Sequence, residues 1–200
     1  ISLYGMIVLS DIGGSFVNSA VGFSSFNKAF STGEREEDIA YFRITRPLVN
    51  RFMKWTYGAE AEWHRTNNYY RADSLYQQDF KYKYKIVDTW GAWNMDAEKP
   101  DGNRDIARSR RLIGLRILHQ NFLDKPLKYT DDNFYAYVDK HAVLGDFSIF
   151  RQNFYKTRYI YGFGRNEDVP EGMELSMTAG WTKINTRERP YTGVNFSRYF

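Results

Sequence analysis

The feature that most constrains this chain is a two-residue alternation that runs without interruption from Met53 to Arg65. One set of alternate positions is apolar or aromatic: Met53, Trp55, Tyr57, Ala59, Ala61 and Trp63. The other set is polar or small: Lys54, Thr56, Gly58, Glu60, Glu62 and His64. Successive side chains of a β-strand point to opposite faces, so this pattern predicts a long strand with one apolar and one charged face.

The same alternation returns between Met173 and Lys183. Met173, Leu175, Met177, Ala179 and Trp181 form its apolar set, and Glu174, Ser176, Thr178, Gly180 and Thr182 form its polar set. Shorter or less regular versions of the pattern occur at Ile1–Leu9, Phe16–Phe26, Ile39–Thr45, Phe80–Trp93, Leu112–Gln120, Leu144–Arg151, Tyr155–Phe163 and Tyr191–Phe200. The chain is therefore predicted to be built from strands throughout.

Composition indicates which kind of β protein this is. Aromatic residues make up 18% of the chain, yet its mean hydropathy is only −0.61, as expected when apolar residues face lipid and polar residues face a lumen. No run of about 18 apolar residues occurs, so closed β structure is the expected way for this chain to cross a bilayer. We predict an all-β fold, an antiparallel up-and-down transmembrane β-barrel that forms one domain over residues 1–200. About eight to ten strands fit that length, and the domain is a complete barrel or part of a larger one.

Several functional classes are disfavoured by the sequence. The chain has no Cys, which excludes thiolate catalysis and thiolate metal sites within it. Its charge of +4 is scattered over many strands and is not gathered on one helix, so no nucleic-acid partner is expected. No nucleophile-elbow motif is present, and we predict neither catalysis nor a cofactor.

Five charged residues are the candidates for lining the lumen: Lys54, Glu60, Glu62, His64 and Glu174. Residues two apart on a strand are close enough to share an ion, so the carboxylates near His64 also suggest a metal or acid–base site. Mixed charges that pair across strands are the ordinary lining of a barrel lumen, and we favour that interpretation. Candidate partners for these charges are Arg43, Arg116, Lys156 and Arg158. His119 and His141 are isolated in the sequence and have no ligand spacing, so no metal site is predicted.

Two further sets of residues have predicted roles. The aromatic residues of the alternating strands should face the membrane: Trp55, Tyr57, Trp63 and Trp181. The segment Gly162–Pro170 is predicted to be a structured connection between strands, because its glycines allow positive φ and its polar side chains can bond nearby backbone. Its key residues are Gly162, Gly164, Arg165, Glu167 and Asp168.

The last quarter of the chain resembles a known family. Tyr155–Gly172, the alternating strand up to Trp181 and the Arg189-Pro-Tyr191 segment look like the barrel region of Bacteroidetes-type outer-membrane proteins akin to bacterial surface antigens of the barrel-assembly superfamily. The resemblance implies a barrel of about sixteen strands, larger than this chain alone would build. The Val-Arg-Gly-Phe/Tyr lumen loop of that superfamily is absent, so the resemblance does not extend to an insertase activity.

These observations lead to a function at the level of class. The expected protein is an integral outer-membrane β-barrel of a Gram-negative bacterium that acts as a channel, a transport or assembly component, or a scaffold. Its expected partners are outer-membrane lipid, including lipopolysaccharide, and proteins of a membrane complex. The alternative is a soluble β-barrel that binds a small apolar ligand, with the indoles lining an internal pocket and the charges facing water.

Overall fold

The computed structural model describes residues 2–26, 36–50, 52–97, 109–130, 134–158 and 166–199. In these residues the chain is all-β, which confirms the predicted fold class at that level. Nine strands follow one another: β1 Ser2–Leu9, β2 Asn18–Phe26, β3 Glu37–Arg46, β4 Trp55–Thr66, β5 Lys83–Asn94, β6 Ser109–Asp124, β7 Lys140–Arg158, β8 Asn166–Ile184 and β9 Arg187–Tyr199.

The strands form a single sheet in which each strand pairs antiparallel with the next strand in the chain. This is the up-and-down order that the sequence predicted. The sheet is not closed, because β1 pairs only with β2 and β9 pairs only with β8. Of the two predicted alternatives, a complete barrel built by these strands alone is therefore not what the described residues form, and a part of a larger barrel stays a prediction.

The largest differences from the predicted strand bounds are in β7 and β8. Leu144–Arg151 and Tyr155–Phe163 were expected to be separate strands, but β7 continues from Lys140 to Arg158 against a β8 of equal length, 19 residues. Since the ladder between them begins at Asn166, Glu167 and Asp168 lie in β8, opposite Thr157 and Lys156, and not in a turn. The rest of the predicted connection, Gly162, Gly164 and Arg165, lies outside the described residues.

The described connections contain only short helical turns, at Ile12–Gly14, Asp73–Leu75, Tyr76–Phe80, Leu127–Tyr129 and Tyr135–Tyr137. The tightest connection joins β8 to β9 through two residues, with Asn185 at a φ of 56°. Asparagine tolerates this left-handed backbone and is common in two-residue hairpin turns. Among the described residues, no helix has the length and apolar character needed to span a bilayer.

The ladder register divides the sheet into two faces, because residues directly opposite each other point to the same side. We call apolar face the side that carries Trp55, Trp63 and Trp181, and polar face the side that carries Glu60, Glu62 and His64. The large exposed side chains of the apolar face extend over all nine strands: Leu3, Ile7, Leu9, Val21, Phe23, Phe42, Trp55, Trp63, Val87, Trp93, Ile113, Leu115, Ile117, Val143, Phe147, Met173, Met177, Trp181, Val194 and Phe196. The enclosed apolar core is small by comparison, with Met53, Tyr82, Ala97, Val138 and Ala142 buried.

Candidate functional site

Charged side chains of the polar face pair across neighbouring strands. Arg43 on β3 stands opposite Glu60 on β4, and its Nε donates to the carboxylate over 2.9 Å while Nη2 donates to the same oxygen. Arg116 on β6 donates two hydrogen bonds to the carboxylate of Asp88 on β5, one of 3.0 Å from Nε and one of 2.5 Å from Nη2. Such two-point guanidinium–carboxylate contacts are strong and directional. They hold adjacent strands in register while keeping charge on this face.

His64 is the centre of the most buried polar cluster on this face. Its Nδ1 lies 2.5 Å from Glu37 Oε1, and its Nε2 lies 3.0 Å from Glu62 Oε2. The imidazole stacks on the ring of Tyr84 with 4.3 Å between centroids and 8° between planes. Tyr82 donates its hydroxyl to the second oxygen of Glu37 over 2.8 Å. His64 and Glu37 retain only 7% and 8% exposure, so these charges are held by each other and not by water.

This geometry limits the chemistry that His64 can perform. When both carboxylates are ionised, both nitrogens of the ring donate, which is the imidazolium form. It then has no free nitrogen with which to accept a proton from a substrate. Among the described residues, no group of three or more His, Asp or Glu side chains is arranged to hold a metal ion. The cluster is suited to fixing β3 and β4 together.

Two connections meet above this cluster. Tyr76, in the connection between β4 and β5, donates its hydroxyl to the carbonyl of Thr66 over 2.8 Å. Tyr137, in the connection between β6 and β7, packs 5.8 Å from the ring of Tyr82 and 5.9 Å from that of Phe122. Lys128 and Asp79 join the two connections through an ion pair of 3.6 Å. The end of the polar face near β4, β5 and β6 is thus covered by the described parts of these two connections, which are rich in aromatic residues.

A cleft of about 870 Å³ lies farther along the polar face. The strand side chains that line it include Thr56, Trp90, Ala92, Arg110, Leu112, Arg116, Leu144, Asp146, Ser148, Phe150 and Thr178. Leu48 and Val49, from the connection between β3 and β4, line it as well. Ligand pockets commonly combine such an apolar lining with a few polar groups. The polar face therefore offers a concave surface of mixed character.

The charged groups of this cleft are held in different ways. Arg116 is paired with Asp88, and Asp146 accepts a hydrogen bond of 2.9 Å from the hydroxyl of Thr178. The guanidinium of Arg110 instead lies over the ring of Phe150, 5.7 Å from its centroid. A cation held over an aromatic face keeps its charge available to an anion in the cleft.

Four of the five lumen candidates of the sequence lie on one side of the sheet. Glu60, Glu62 and His64 are on the polar face within β4, and Glu174 is exposed on the same face in β8, opposite Phe150. Lys54 is exposed directly before β4, where its carbonyl accepts a hydrogen bond of 2.7 Å from the backbone of Asn94. Of the candidate partners, Arg43 pairs with Glu60, while Arg116 pairs with Asp88. Lys156 and Arg158 lie in β7 within a part of that strand whose side chains are not described.

The membrane-facing candidates share the opposite side of the sheet. Trp55, Tyr57, Trp63 and Trp181 are 55%, 37%, 43% and 55% exposed on the apolar face. Trp55 stacks against Trp93 with 6.3 Å between centroids at one end of β4. At the other end, Lys83 Nζ lies 5.1 Å from the centre of the Trp63 ring. The indoles are thus surface groups and do not gather in an interior.

Sequence reasoning missed several side-chain contacts between strands, among them those of His64 with Glu37 and of Arg116 with Asp88, and the clearest case is a pair of histidines. His119 and His141 were taken as isolated, but β6 and β7 place them directly opposite each other, with their Nδ1 atoms 2.7 Å apart. One ring must donate to the other across this contact. Only the pairing register of two strands, separated by a long connection, reveals the pair, and no local spacing in the sequence indicates it.

Comparison of the chain with protein-family models, with curated proteins and with solved structures finds no match. The resemblance to bacterial surface antigens therefore stays a prediction. The observation that bears on function is the distribution of side chains over the two faces of the sheet.

Proposed function

We propose that this chain forms the wall of a β-barrel in a bacterial outer membrane, with its apolar face against lipid and its polar face lining the lumen. The observation that carries the proposal is the continuous band of uncharged side chains across the apolar face of all nine strands. Soluble monomers rarely expose a contiguous apolar patch larger than a few hundred square ångströms. A bilayer is the environment in which such a band is covered.

The ends of this band support the same proposal. Basic residues follow the apolar side chains at both ends of the apolar face: Arg65, Lys83, Lys85 and Lys183 at one end, and Arg46, Arg111, Arg151 and Arg198 at the other. Among the described residues near the band, Asp38 pairs with Arg65 at 3.1 Å and Glu188 pairs with Lys183 at 3.3 Å. Long basic side chains at both edges can reach lipid phosphates while their stems stay in apolar surroundings.

The band also drifts across the sheet in the way that tilted barrel strands require. One row of the ladder runs from Leu9 on β1 through Ala59 on β4 to Trp181 on β8. Leu9 is the last apolar side chain of its strand toward one end of the sheet, and Trp181 is the last apolar side chain of the apolar face of β8 toward the other end. The centre of the band therefore moves by about one residue per strand, which at about 3.3 Å per residue and 4.8 Å per strand corresponds to a tilt of about 35°. Barrel strands are tilted by about 35–45°.

The polar face suits a lumen that is wetted and lined with charge. Its ion pairs, Arg43 with Glu60 and Arg116 with Asp88, resemble the cross-strand pairs expected inside a barrel. The cleft around Arg110 gives this wall a place for an anionic group. We propose that the lumen conducts or holds polar solutes and that lipid, including lipopolysaccharide, covers the outside. Neither catalysis nor a cofactor is part of this proposal.

The orientation of the two faces can be tested with the native tryptophans. The chain has five Trp residues, of which Trp181 is on the apolar face and Trp90 is on the polar face. Two variants, each with one of these indoles and Phe at the other four positions, are reconstituted in vesicles whose acyl chains carry bromine, a contact quencher. We expect strong quenching of Trp181 and little quenching of Trp90.

The same pair of variants separates this proposal from a soluble barrel. A soluble protein would remain monodisperse in detergent-free buffer and leave both indoles unquenched. Quenching of Trp90 with sparing of Trp181 would mean that the faces are reversed. Either result would overturn the proposal.

A further inference from the structure

The two edge strands of the sheet run in the same direction. Eight successive antiparallel pairings connect β1 to β9, and each pairing reverses the strand direction. After eight reversals β9 points the same way as β1. If the sheet curled until its edges met, β1 and β9 would have to pair in parallel.

A second copy of the sheet cannot avoid this mismatch. Copies that insert into a membrane in the same orientation have all their edge strands pointing the same way. Every junction between β1 or β9 of one copy and either edge of another copy would then be parallel. Bacterial outer-membrane barrels use an even number of antiparallel strands. Neither self-closure nor closure by identical copies meets that rule.

Leaving β1 unpaired does not satisfy the chain either. In hydrocarbon there is no water to bond the free N–H and C=O groups of an edge strand. Sheets that keep free edges usually protect them with Lys, Pro or a bulge. β1 has none of these features: its residues are Ser2, Leu3, Tyr4, Gly5, Met6, Ile7, Val8 and Leu9, and it pairs with β2 without a register shift.

We propose that an odd number of further strands completes the barrel and pairs antiparallel with β1 on one side and with β9 on the other. Every neighbouring pair in this sheet is consecutive in the chain, so the closing strands are assigned to the same polypeptide. Their chemistry is defined by the faces that they continue, apolar toward lipid and polar toward the lumen. This inference rests on the proposed membrane location.

Amide hydrogen exchange on the membrane-extracted protein tests the closure. In an antiparallel ladder about half of the amides of β1 donate to β2, and the other half point to the opposite side. If a closing strand is present, nearly all amides in Ser2–Leu9 exchange as slowly as those of the central strand β4. If the edge is open, about half of them exchange rapidly, and the proposal is overturned.

Engineered disulfides distinguish the possible neighbours, because the chain has no native Cys. Val8→Cys with Ala20→Cys, and Ser176→Cys with Asn195→Cys, place thiols at directly opposite ladder positions and are the positive controls. In the test variants, Cys at Tyr4, Met6 or Val8 of β1 is combined with Cys at Tyr191, Gly193 or Asn195 of β9. We expect cross-links in the controls and neither intrachain β1–β9 links nor disulfide dimers in the test variants.

Each other outcome has a defined meaning. An intrachain disulfide between β1 and β9 shows that the two edges pair directly, and a disulfide-linked homodimer shows closure by a second copy. If the amides of β1 exchange slowly only when a different protein is present, that protein closes the barrel. Any of the three overturns the proposal. Failure of the membrane proposal is recognised separately, because a water-soluble sheet leaves Trp181 unquenched whatever the exchange at β1.

Discussion

Trp90 on β5 lies across Gly58 on the neighbouring strand β4. A Cβ atom at Gly58 would stand 2.6 Å from Nε1 of the indole and 2.9 Å from its Cε2. Tyr41 on β3 lies over Gly22 of β2 in the same way, and its hydroxyl reaches Tyr4 on β1 at 3.1 Å. Large rings of the polar face thus lie flat over glycines of adjacent strands, a known means of fixing register in sheets.

The first prediction concerns this contact. Gly58→Ala should displace the indole of Trp90 and lower the free energy of unfolding by about 1–3 kcal/mol, the usual cost of an overpacked site. Gly91→Ala, on the adjacent strand, is the matched control because its added Cβ would meet only Tyr57 Cβ at 3.9 Å. Urea titration of both variants in detergent micelles measures the difference. Equal stability of the two variants would show that Trp90 is not packed on Gly58.

The second prediction tests the apolar face by adding a charge. Leu115 and Leu118 lie on opposite faces of β6, with Leu115 in the middle of the apolar band and Leu118 opposite Asp88. Leu115→Arg should cost about 2–4 kcal/mol in membrane insertion, as for Arg near the bilayer midplane. Leu118→Arg adds the same charge to the polar face and should insert nearly normally. The yield of heat-modifiable, membrane-inserted protein measures both, and equal losses would contradict the assignment of faces.

The sequence predicted the faces of β4 and β8 because every second side chain of a strand points to the same face. That is local information, and it placed Glu62 and His64 on one side and Trp63 on the other. Strand length was less predictable, because β7 continues through a stretch in which the alternation weakens, supported by its pairing with β8. Tertiary pairing overrides local pattern at such positions.

Contacts between strands were not predictable from the sequence. The sequence offered Arg43 as a candidate partner without saying which carboxylate it meets, and it gave no sign that His119 stands opposite His141. Both contacts depend on a register set by pairing between whole strands. A shift of one residue would move every side chain of a strand to the other face. The positions of the open edges at β1 and β9 could not be predicted from the sequence either, because alternation defines the faces of a strand but does not identify its neighbours.

A third prediction concerns the buried cluster around His64. His64→Ala leaves Glu37 and Glu62 without the group that bridges them, and Glu37 is almost fully buried. Removing one partner of a buried charge pair typically costs about 3–5 kcal/mol, so a clear loss of stability is expected. Glu174→Gln, an exposed change on the same face, should leave the unfolding free energy nearly unchanged. Denaturant unfolding followed by Tyr and Trp fluorescence makes the comparison.

The last prediction tests whether the polar face acts on ions in a lumen. Arg110 and Arg111 are neighbours on β6 but face opposite sides. Arg110 points toward the cleft, and Arg111 lies at one end of the apolar face, where it pairs with Asp96 at 2.7 Å. Because Arg110 lies over Phe150, its loss removes positive charge from the cleft without releasing a paired carboxylate among the described residues.

Arg110→Gln should therefore shift the reversal potential of reconstituted protein, measured across a planar bilayer in a potassium chloride gradient, toward cation preference. Arg110→Lys retains the charge and should behave as the native protein does. Arg111→Gln makes the same change in net charge outside the lumen and should leave the selectivity unaltered. If Arg110→Gln and Arg111→Gln shift the potential equally, the effect reflects overall charge, and the polar face does not line the conducting path.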